Sequence, residues 1–322
     1  MAWSVETVEN NRSYVGNDNK TFERVNTLNV PPNKEETTPE QIFLRGPSLS
    51  EICLSIFSSS PADVQPIGEG SNDCRAFKLR IGGKWIKCYE CESPERALMV
   101  KQATCVLECN NVPIPQIYEV VEHVVFADWV KGKLLTDGGD RALITRMSAY
   151  QARIHQADTP SEITSGDRFI HLEWLLKRMR QLTRGFVQPG KVEALCKSID
   201  NLIPPLLKVR IIQPDFIKSN IVKTPSGKLV IVDNEFLGIG LGFELDIVNA
   251  SHVISGGDEF RRRQYLNAYA AVGDCGTLIQ HGGFWDICYL TKLVGKRFLI
   301  GDVEMGKVCL DLLDYKVREY AS

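Results

Sequence analysis

Residues 210–236 read RIIQPDFIKSNIVKTPSGKLVIVDNEF and hold the densest polar positions within apolar runs. Two apolar stretches, RIIQPDFIKSNIVKT and KLVIVDNEF, are separated by the turn-forming residues PSG and indicate short strands. Three polar side chains stand out: Asp215, Asn220 five positions later, and Asp233 directly after four apolar residues. Burying a carboxylate in such a place is costly unless something uses its charge.

These three residue types fit the chemistry of a cation and a proton. Asn220 and Asp233, at the ends of neighbouring strands, could jointly hold Mg²⁺, a hard ion that takes oxygen ligands and keeps waters or phosphate oxygens as the others. Asp215 could then accept or orient the proton of an attacking hydroxyl. The alternative interpretation is structural, with the Asp and Asn residues capping turns.

A second candidate site lies earlier in the chain, in two alternating runs that predict strands. The runs AFKLRI and KWIKCYE are joined by two glycines, which indicate a hairpin. Lys87 lies within the second run, either as a solvent-facing strand residue or as a phosphate partner. A glycine-containing turn precedes the first run and could let backbone N–H groups approach a phosphate, although an ordinary hairpin turn has the same composition. The residues of this turn are Gly68, Gly70, Ser71 and Asn72.

The order of predicted elements indicates an α+β fold of two lobes. Residues 1–40 are rich in Asn, Glu, Thr and Pro and predict a flexible extension. Residues 41–128 predict a small lobe with an antiparallel sheet, beginning with a short helix at SLSEICLSIF. Residues 129–322 predict a larger helical lobe interrupted by the strand pair above. The 322 residues thus form two lobes that share one cleft.

Composition excludes several classes of protein. A net charge of −2 disfavours a dedicated nucleic-acid binder, and no apolar run is long enough for a membrane span. The first residues, MAWSVETVENN, lack the pattern of a secretory signal, so we expect a cytoplasmic protein. The ten cysteines include one CxxC pair, which falls short of a zinc site, and we expect mostly buried free thiols in a reducing compartment.

Taken in order, the motifs resemble those of the aminoglycoside phosphotransferase and choline kinase family, which has the protein-kinase-like fold. The resemblance extends from about Ile67 to Asn249. The motifs that carry it are GSN at 70–72, Lys87, VPIP at 112–115, FADWVKG at 126–132, YQARIH at 150–155, QPDFIKSN at 213–220, IVDNEF at 231–236 and LDI at 245–247.

The resemblance implies a role for each matching residue. Asp215 would be the catalytic aspartate that faces the acceptor hydroxyl. Asn220 and Asp233 would bind Mg²⁺, which bridges the ATP phosphates. Lys87 would contact the α and β phosphates, and the turn at 68–72 would cover them. This small set suffices, because phosphoryl transfer depends mainly on positioning and charge neutralisation.

Further positions would support that site. Asp128, Trp129 and Val130 match the hinge between lobes, where backbone groups pair with adenine. His155 would support the catalytic loop, and Asp246, thirteen positions after Asp233, would be a structural aspartate near it.

Three positions depart from the family pattern. Gln213 replaces the usual histidine before the catalytic aspartate, and its amide could partly take over the hydrogen bonding. Pro214 replaces the usual glycine and removes a backbone donor. The helix glutamate that normally pairs with the lysine has no clean match, and Glu95 is our choice for that partner.

The remaining polar and aromatic residues are interpreted more simply. The arginines at 178, 180, 184 and 261–263 could indicate an anionic substrate, but the charge balance favours a solvated helix face. Trp129, Trp174 and Trp285 could form an aromatic wall for a quaternary ammonium, although core packing is favoured for each. The other histidines, His123, His171, His252 and His281, are interpreted as structural or surface residues.

The resulting hypothesis is an ATP- and Mg²⁺-dependent kinase that phosphorylates a hydroxyl of a small molecule. The acceptor could be an antibiotic, a sugar, an amino alcohol or a biosynthetic intermediate, and the oligomeric state is left open. The alternative is a pseudokinase that binds nucleotide or a partner without catalysis. Gln213, Pro214 and the unmatched glutamate favour the alternative, whereas the joint presence of Lys87, Asp215, Asn220 and Asp233 opposes it.

Overall fold

The computed structural model describes residues 48–67, 76–135, 141–159, 170–205 and 207–322. All statements below concern these residues. The predicted extension at 1–40 and the predicted phosphate-covering turn, with Gly68, Gly70, Ser71 and Asn72, lie outside them.

The N-terminal lobe is a five-stranded antiparallel sheet with a helix on either side. The strands β1 to β5 have the order β1-β2-β3-β5-β4. They are Asp63–Pro66 (β1), Ala76–Ile81 (β2), Lys84–Glu90 (β3), Ile117–Val121 (β4) and Val124–Asp128 (β5). Helix α1, Leu49–Phe57, packs against one face of the sheet, and α2, Pro94–Cys109, packs against the other through a separate apolar cluster.

Local sequence explains where these elements begin and turn. Gly82 and Gly83 have φ values of +55° and +80°, the left-handed geometry that a two-residue hairpin turn requires. The Ser48 hydroxyl caps α1 by accepting the backbone N–H of Glu51, and the Glu51 carboxylate accepts the backbone N–H of Ser48, which completes a capping box. Ser93 caps α2, and Pro94 occupies its first turn.

The C-terminal lobe is mainly helical and contains two further small sheets. Its helices are Arg141–Gln156 (α3), Ile170–Leu182 (α4), Pro189–Asn201 (α5), Phe243–Ser255 (α6), Glu259–Ala270 (α7), Gly282–Leu299 (α8) and Val303–Ala321 (α9). The main core lies among α4, α5, α6, α8 and α9, with Trp285 fully buried in it. No helix in the described ranges has both the length and the apolar character that crossing a membrane would need.

The two small sheets position the polar residues of the segment 210–236. Strands β7, Arg210–Ile212, and β10, Gly238–Gly240, pair with each other. Strand β8, Ile221–Lys223, pairs with β9, Leu229–Ile231, and with β6, Lys133–Leu134. Because Ile221 lies opposite Ile231, the residues just before β8 and just after β9 meet at one end of this sheet. The predicted α+β fold, with a small antiparallel sheet and a larger helical part, is confirmed.

Gly132 lies between β5 and β6, on the connection that joins the two lobes. A Cβ atom at this position would lie 2.4 Å from the carbonyl oxygen of Lys223 and 2.4 Å from a methyl carbon of Val222. Only glycine permits this close approach of the connection to β8.

We therefore expect Gly132→Ala to lower the free energy of unfolding by about 1–3 kcal/mol, the usual cost of overpacking. The measurement is urea unfolding followed by circular dichroism. Gly190→Ala is the matched control, since a Cβ there meets nothing within 4 Å, and we expect it to stabilise the protein by about 0.4–1 kcal/mol. Equal stability of the Gly132→Ala variant and the parent would show that the connection does not need glycine.

Candidate active site

The loop after β7 holds Asp215 in place through Asn220. The Nδ2 of Asn220 donates to the Asp215 carboxylate at 2.8 Å and to its backbone carbonyl at 3.1 Å. A short 3-10 turn, Lys218–Asn220, brings the asparagine back toward the aspartate. Both donated bonds come from Nδ2, so Oδ1 is the Asn220 atom suited to contact a cation.

Asp233 lies two residues after the end of β9, beside Asn220. The backbone N–H of Val232 donates to the Asn220 carbonyl at 2.8 Å, which fixes the two segments together. Asp233 has φ of +59°, a left-handed conformation that costs a non-glycine residue roughly 1–2 kcal/mol. Such backbone strain persists only where the surrounding structure imposes it, and it is concentrated at functional sites.

Lys87 comes from the other lobe and completes the cluster. Its side chain is only 10% exposed, so the solvent-facing alternative is wrong. The Lys87 ammonium forms an ion pair with Asp233 Oδ1, lies 3.5 Å from Glu235 Oε2, and stands 4.9 Å from the centre of the Tyr89 ring. The structure thus brings together Lys87, Asp233 and Asn220, with Asp215 bonded to the last.

The carboxylate that accompanies Lys87 is Glu235, and the choice of Glu95 was wrong. Glu95 is exposed at the start of α2, where a bond to Ser93 lowers its pKa. Burial raises the pKa of Glu235, and the Lys87 ammonium partly opposes that shift. Arg96 of α2 donates to the Glu235 backbone carbonyl at 3.3 Å, so the helix contacts this segment through a cation instead of a glutamate. In the sequence, the only signal for Glu235 was its place two residues after Asp233.

Gln213 and Pro214, the two departures from the family pattern, are both integrated into the site. Gln213 is fully buried, and its Nε2 donates to Asn234 Oδ1 at 3.1 Å, which ties the loop to the segment after β9. This confirms the expectation that a glutamine amide could take over hydrogen bonding there. The carbonyl of Pro214 accepts a bond of 3.0 Å from Asn249 of α6.

Asp246 hydrogen-bonds to the loop that carries Asp215, as expected for a structural aspartate near that loop. Its carboxylate accepts the backbone N–H of Gln213 at 2.7 Å. His155 and His171 approach the same carboxylate, each with a ring nitrogen 3.7 Å from one oxygen. His171 is a supporting residue that the sequence did not distinguish from the other histidines. Burial lowers its pKa to about 4, with Lys292 adding to the shift and Asp246 opposing it, so the ring is neutral at pH 7.

The predicted hinge, Asp128 to Val130, leaves the end of β5. The N–H of Asp128 donates to the Gln116 carbonyl at 2.9 Å, and that of Trp129 donates to the Trp85 carbonyl at 3.3 Å. Trp85 lies two residues before Lys87 on the same strand, and therefore on the same sheet face.

The sheet face beside the hinge also carries Lys78. The Lys78 ammonium lies 4.0 Å from the Trp85 ring and 4.7 Å from the Trp129 ring. Lys78 is the direct cross-strand neighbour of Lys87, so two cations occupy one face of the sheet. Lys78 and Trp85 were not identified from the sequence. Trp129 belongs to this hinge cluster, and Trp174 is 45% exposed, so the core positions favoured for these two tryptophans were wrong, whereas Trp285 is in the core.

The donor set suits a magnesium ion that arrives with its own ligands. Asp233 offers a carboxylate and Asn220 an amide oxygen, both hard donors of the type that Mg²⁺ takes. Across the part of the chain that the structure describes, no group of three or more His, Cys, Asp and Glu side chains could hold a metal ion. Two protein ligands are nevertheless the number that a phosphate-bridged Mg²⁺ site commonly uses.

Solved structures with a similar fold include small-molecule kinases. The amicoumacin kinase hAmiN, solved with AMP-PNP, Ca²⁺ and Ami, has a TM-score of 0.63 and 11% identity, covering 88% of this chain and 94% of its own. The choline kinase LicA from Streptococcus pneumoniae has a TM-score of 0.58 and 12% identity, covering 84% and 98%. The spectinomycin phosphotransferase APH(9)-Ia, solved with ADP and its antibiotic, has a TM-score of 0.57 and 12% identity, covering 85% and 97%.

These likenesses show the fold, and the predicted resemblance is confirmed at that level. No protein-family model matches the sequence, and no curated protein matches it. The roles of the individual site residues therefore remain predictions, including those of Asp215, Asn220, Asp233, Lys87 and the hinge.

The buried position of Lys87 beside two carboxylates leads to a stability prediction. Removing the ammonium with Lys87→Met leaves Glu235, whose side chain is 15% exposed, without its cation, and breaking a buried pair in this way costs about 3–5 kcal/mol. The Asp233 side chain is 44% exposed and adds less, because solvent screens its charge. The raised pKa of Glu235 rises further in the variant, and a carboxyl with a raised folded pKa loses stability as pH increases. We therefore expect a larger cost at pH 8 than at pH 5, measured by urea unfolding at both values.

Lys101→Met is the control for that experiment. Lys101 pairs with Glu119 at 2.6 Å near the surface, with side chains 33% and 42% exposed. Its loss should cost less than about 1 kcal/mol at either pH. If Lys87→Met costs no more than Lys101→Met, the Lys87 cluster does not hold the lobes together.

Proposed function

We propose that the chain is an ATP- and Mg²⁺-dependent kinase that transfers the γ-phosphoryl group to a hydroxyl of a small molecule. The observation that carries the proposal is the convergence of Lys87, Asp215, Asn220 and Asp233 at the junction of the two lobes. Lys87 lies 146 positions before Asp233 in sequence, yet the two side chains form an ion pair. Lys87 and Asn220 are buried, and burying these polar side chains is costly unless a function uses them.

Each residue has a task that its position allows. Asp215, oriented by the Asn220 amide, accepts or directs the proton of the attacking hydroxyl. Asn220 Oδ1 and the Asp233 carboxylate would hold Mg²⁺, which would neutralise part of the negative charge of the ATP phosphates. Lys87 stabilises the charge on the α and β phosphates.

Binding of nucleotide would change the partners of Lys87. Its ammonium pairs with Asp233 in the structure described here, and phosphate oxygens and the cation would compete for both members of that pair. Glu235, 3.5 Å from the ammonium, is placed to keep Lys87 oriented after the exchange. Glu235 would then do the work that the glutamate of α2 does in the resembling family.

The remaining contacts to ATP come from the hinge and from the turn at 68–72. Gly68, Gly70, Ser71 and Asn72 would cover the phosphates with backbone N–H groups. The N–H groups of Asp128 and Trp129 are bonded to the carbonyls of Gln116 and Trp85, so pairing with adenine would fall to the Asp128 carbonyl and the backbone of Val130.

A pseudokinase is the second candidate, and one observation favours it. Lys78, Trp85 and Trp129 are packed together on the sheet face beside the hinge, where they could restrict entry of adenine. Gln213 and Pro214 also favour a pseudokinase, because they replace the histidine and glycine usual in the catalytic loop of the resembling family. Both candidates place a nucleotide at the junction of the two lobes and differ in whether turnover occurs.

We expect millimolar ATP with Mg²⁺ to raise the melting temperature, because a ligand that binds only the folded state stabilises it. With a suitable hydroxyl compound, ADP release should follow, and Asp215→Asn should reduce that rate about 10²- to 10⁴-fold while keeping the thermal shift. Asp311→Asn is the control, since Asp311 lies on α9 in an exposed pair with Lys191. The measurements are differential scanning fluorimetry and a coupled ADP assay.

Three other outcomes have distinct meanings. The absence of any thermal shift with MgATP contradicts both candidates. A shift without turnover on any acceptor favours the pseudokinase. Equal rates for Asp215→Asn and the parent contradict the role of Asp215 as the proton-accepting residue.

A further inference from the structure

A cleft of about 160 Å³ opens between helices α4 and α8 of the C-terminal lobe. It is separate from the nucleotide residues of the N-terminal lobe. The residues that line it are Trp174, Leu175, Arg178, Thr291, Lys292, Gly295, Lys296 and Leu299. Leu175 and Thr291 are buried at its floor.

The charged side chains among these described lining residues are all cationic. The Arg178 guanidinium lies 4.8 Å from the centre of the Trp174 ring, one helical turn away, which fixes its plane and leaves its N–H edge for a partner. Lys292 and Lys296 face the cleft from α8. Arg178, interpreted from the sequence as part of a solvated helix face, is half-buried and stacks on Trp174 at the edge of this cleft.

Nearby carboxylates on the same helices act elsewhere. Glu173 of α4 is close enough to Asp200 of α5 to help raise the pKa of that carboxyl. Asp286 of α8 lies 3.5 Å from Arg262 of α7. The cleft therefore presents positive charge without an acidic residue in its described lining.

Lys292 connects the cleft to the loop that carries Asp215. Its ammonium donates to Asn249 Oδ1 at 2.9 Å, and Asn249 Nδ2 donates to the carbonyl of Pro214 at 3.0 Å. Burial lowers the pKa of Lys292, whereas the carboxylates of Asp215 and Asp246 oppose that shift, so the amine lies within electrostatic range of both. A molecule that contacts Lys292 from the cleft would therefore be linked through Asn249 to the loop that carries Asp215.

This chemistry disfavours a cationic acceptor. A quaternary ammonium needs an open aromatic face, but Arg178 covers that of Trp174, and Trp285 is buried in the core. A polycation would meet repulsion from Arg178 and Lys292. A carboxylate or phosphate would instead receive charge-assisted hydrogen bonds from both.

We propose that the acceptor is an anionic hydroxyl compound, whose carboxylate or phosphate binds Arg178 and Lys292 while its hydroxyl faces Asp215. The inference rests on the proposed kinase function and specifies its substrate class. The γ-phosphoryl group of ATP passes to the acceptor oxygen, the bond to the β-phosphate oxygen breaks to release ADP, and the hydroxyl proton goes to Asp215.

Four small hydroxyl compounds test the charge preference directly. They are D-glycerate, glycerol 3-phosphate, neutral glycerol and cationic choline, each titrated at constant ionic strength into protein saturated with MgADP. Saturation keeps the phosphate probe out of the nucleotide site. We expect D-glycerate, glycerol 3-phosphate or both to raise the melting temperature further, and glycerol and choline to leave it unchanged. A rise with D-glycerate alone indicates a site for a carboxylate, and a rise with glycerol 3-phosphate alone indicates a site for a phosphate.

Arg178→Gln should weaken binding of the active anion about ten- to a hundredfold, the usual effect of losing a hydrogen bond to a charged group. Arg180→Gln is the matched control on the same helix, because Arg180 pairs with Glu193 at 2.8 Å, and it should leave that binding unchanged. Lys292→Met should weaken binding to a similar extent. Retention of the MgADP-induced thermal shift shows that each variant is folded.

The possible failures are separable. No thermal shift with MgADP or MgATP in the parent contradicts the kinase proposal itself. A normal nucleotide shift with no response to either anion, or with a response to choline or glycerol instead, overturns the anionic acceptor. Equal loss of anion binding in Arg178→Gln and Arg180→Gln overturns its assignment to this cleft.

Discussion

The ion pair between Lys87 and Asp233 is the contact on which the arrangement of the site depends. It joins β3 of the N-terminal lobe to the segment after β9 in the C-terminal lobe. The Lys87 side chain is only 10% exposed, so opposite charges must offset the free energy lost on removing its ammonium from water. Asp233 supplies one carboxylate, and Glu235 supplies a second one 3.5 Å away. Asp233 adopts a left-handed backbone conformation two residues after the end of β9. The same ion pair therefore fixes the geometry of the site and joins the two lobes.

The order of motifs along the chain predicted the fold and four of the residues that the structure brings together at the lobe junction. These four are Lys87, Asp215, Asn220 and Asp233. Asp215 and Asn220 are close in sequence, so their spacing alone places them in one loop, and Asp233 follows an apolar run that had to be a strand. Glu235 could not be assigned to Lys87 in the same way, because the pairing is long-range and is decided by how α2 packs. That helix presents Arg96 to the segment, and its nearest glutamate points to solvent.

The acceptor side was harder to predict for a similar reason. A run of arginines on a helix carries no information about which face the rest of the fold will cover. Arg180 pairs with Glu193 of α5, whereas Arg178, two residues earlier, stacks on Trp174 and lines the cleft. His171 and Lys292 likewise gain significance only from the tertiary contacts that place them near Asp246 and Asp215.

A crystal structure with a non-hydrolysable ATP analogue and Mg²⁺ tests the central claim most directly. We expect the nucleotide between the lobes, the Lys87 ammonium moved from Asp233 to the phosphates while remaining next to Glu235, and the cation on Asn220 and Asp233. A structure in which the nucleotide binds elsewhere, or in which the Lys87–Asp233 pair stays closed with nucleotide present, would contradict a kinase site at this junction.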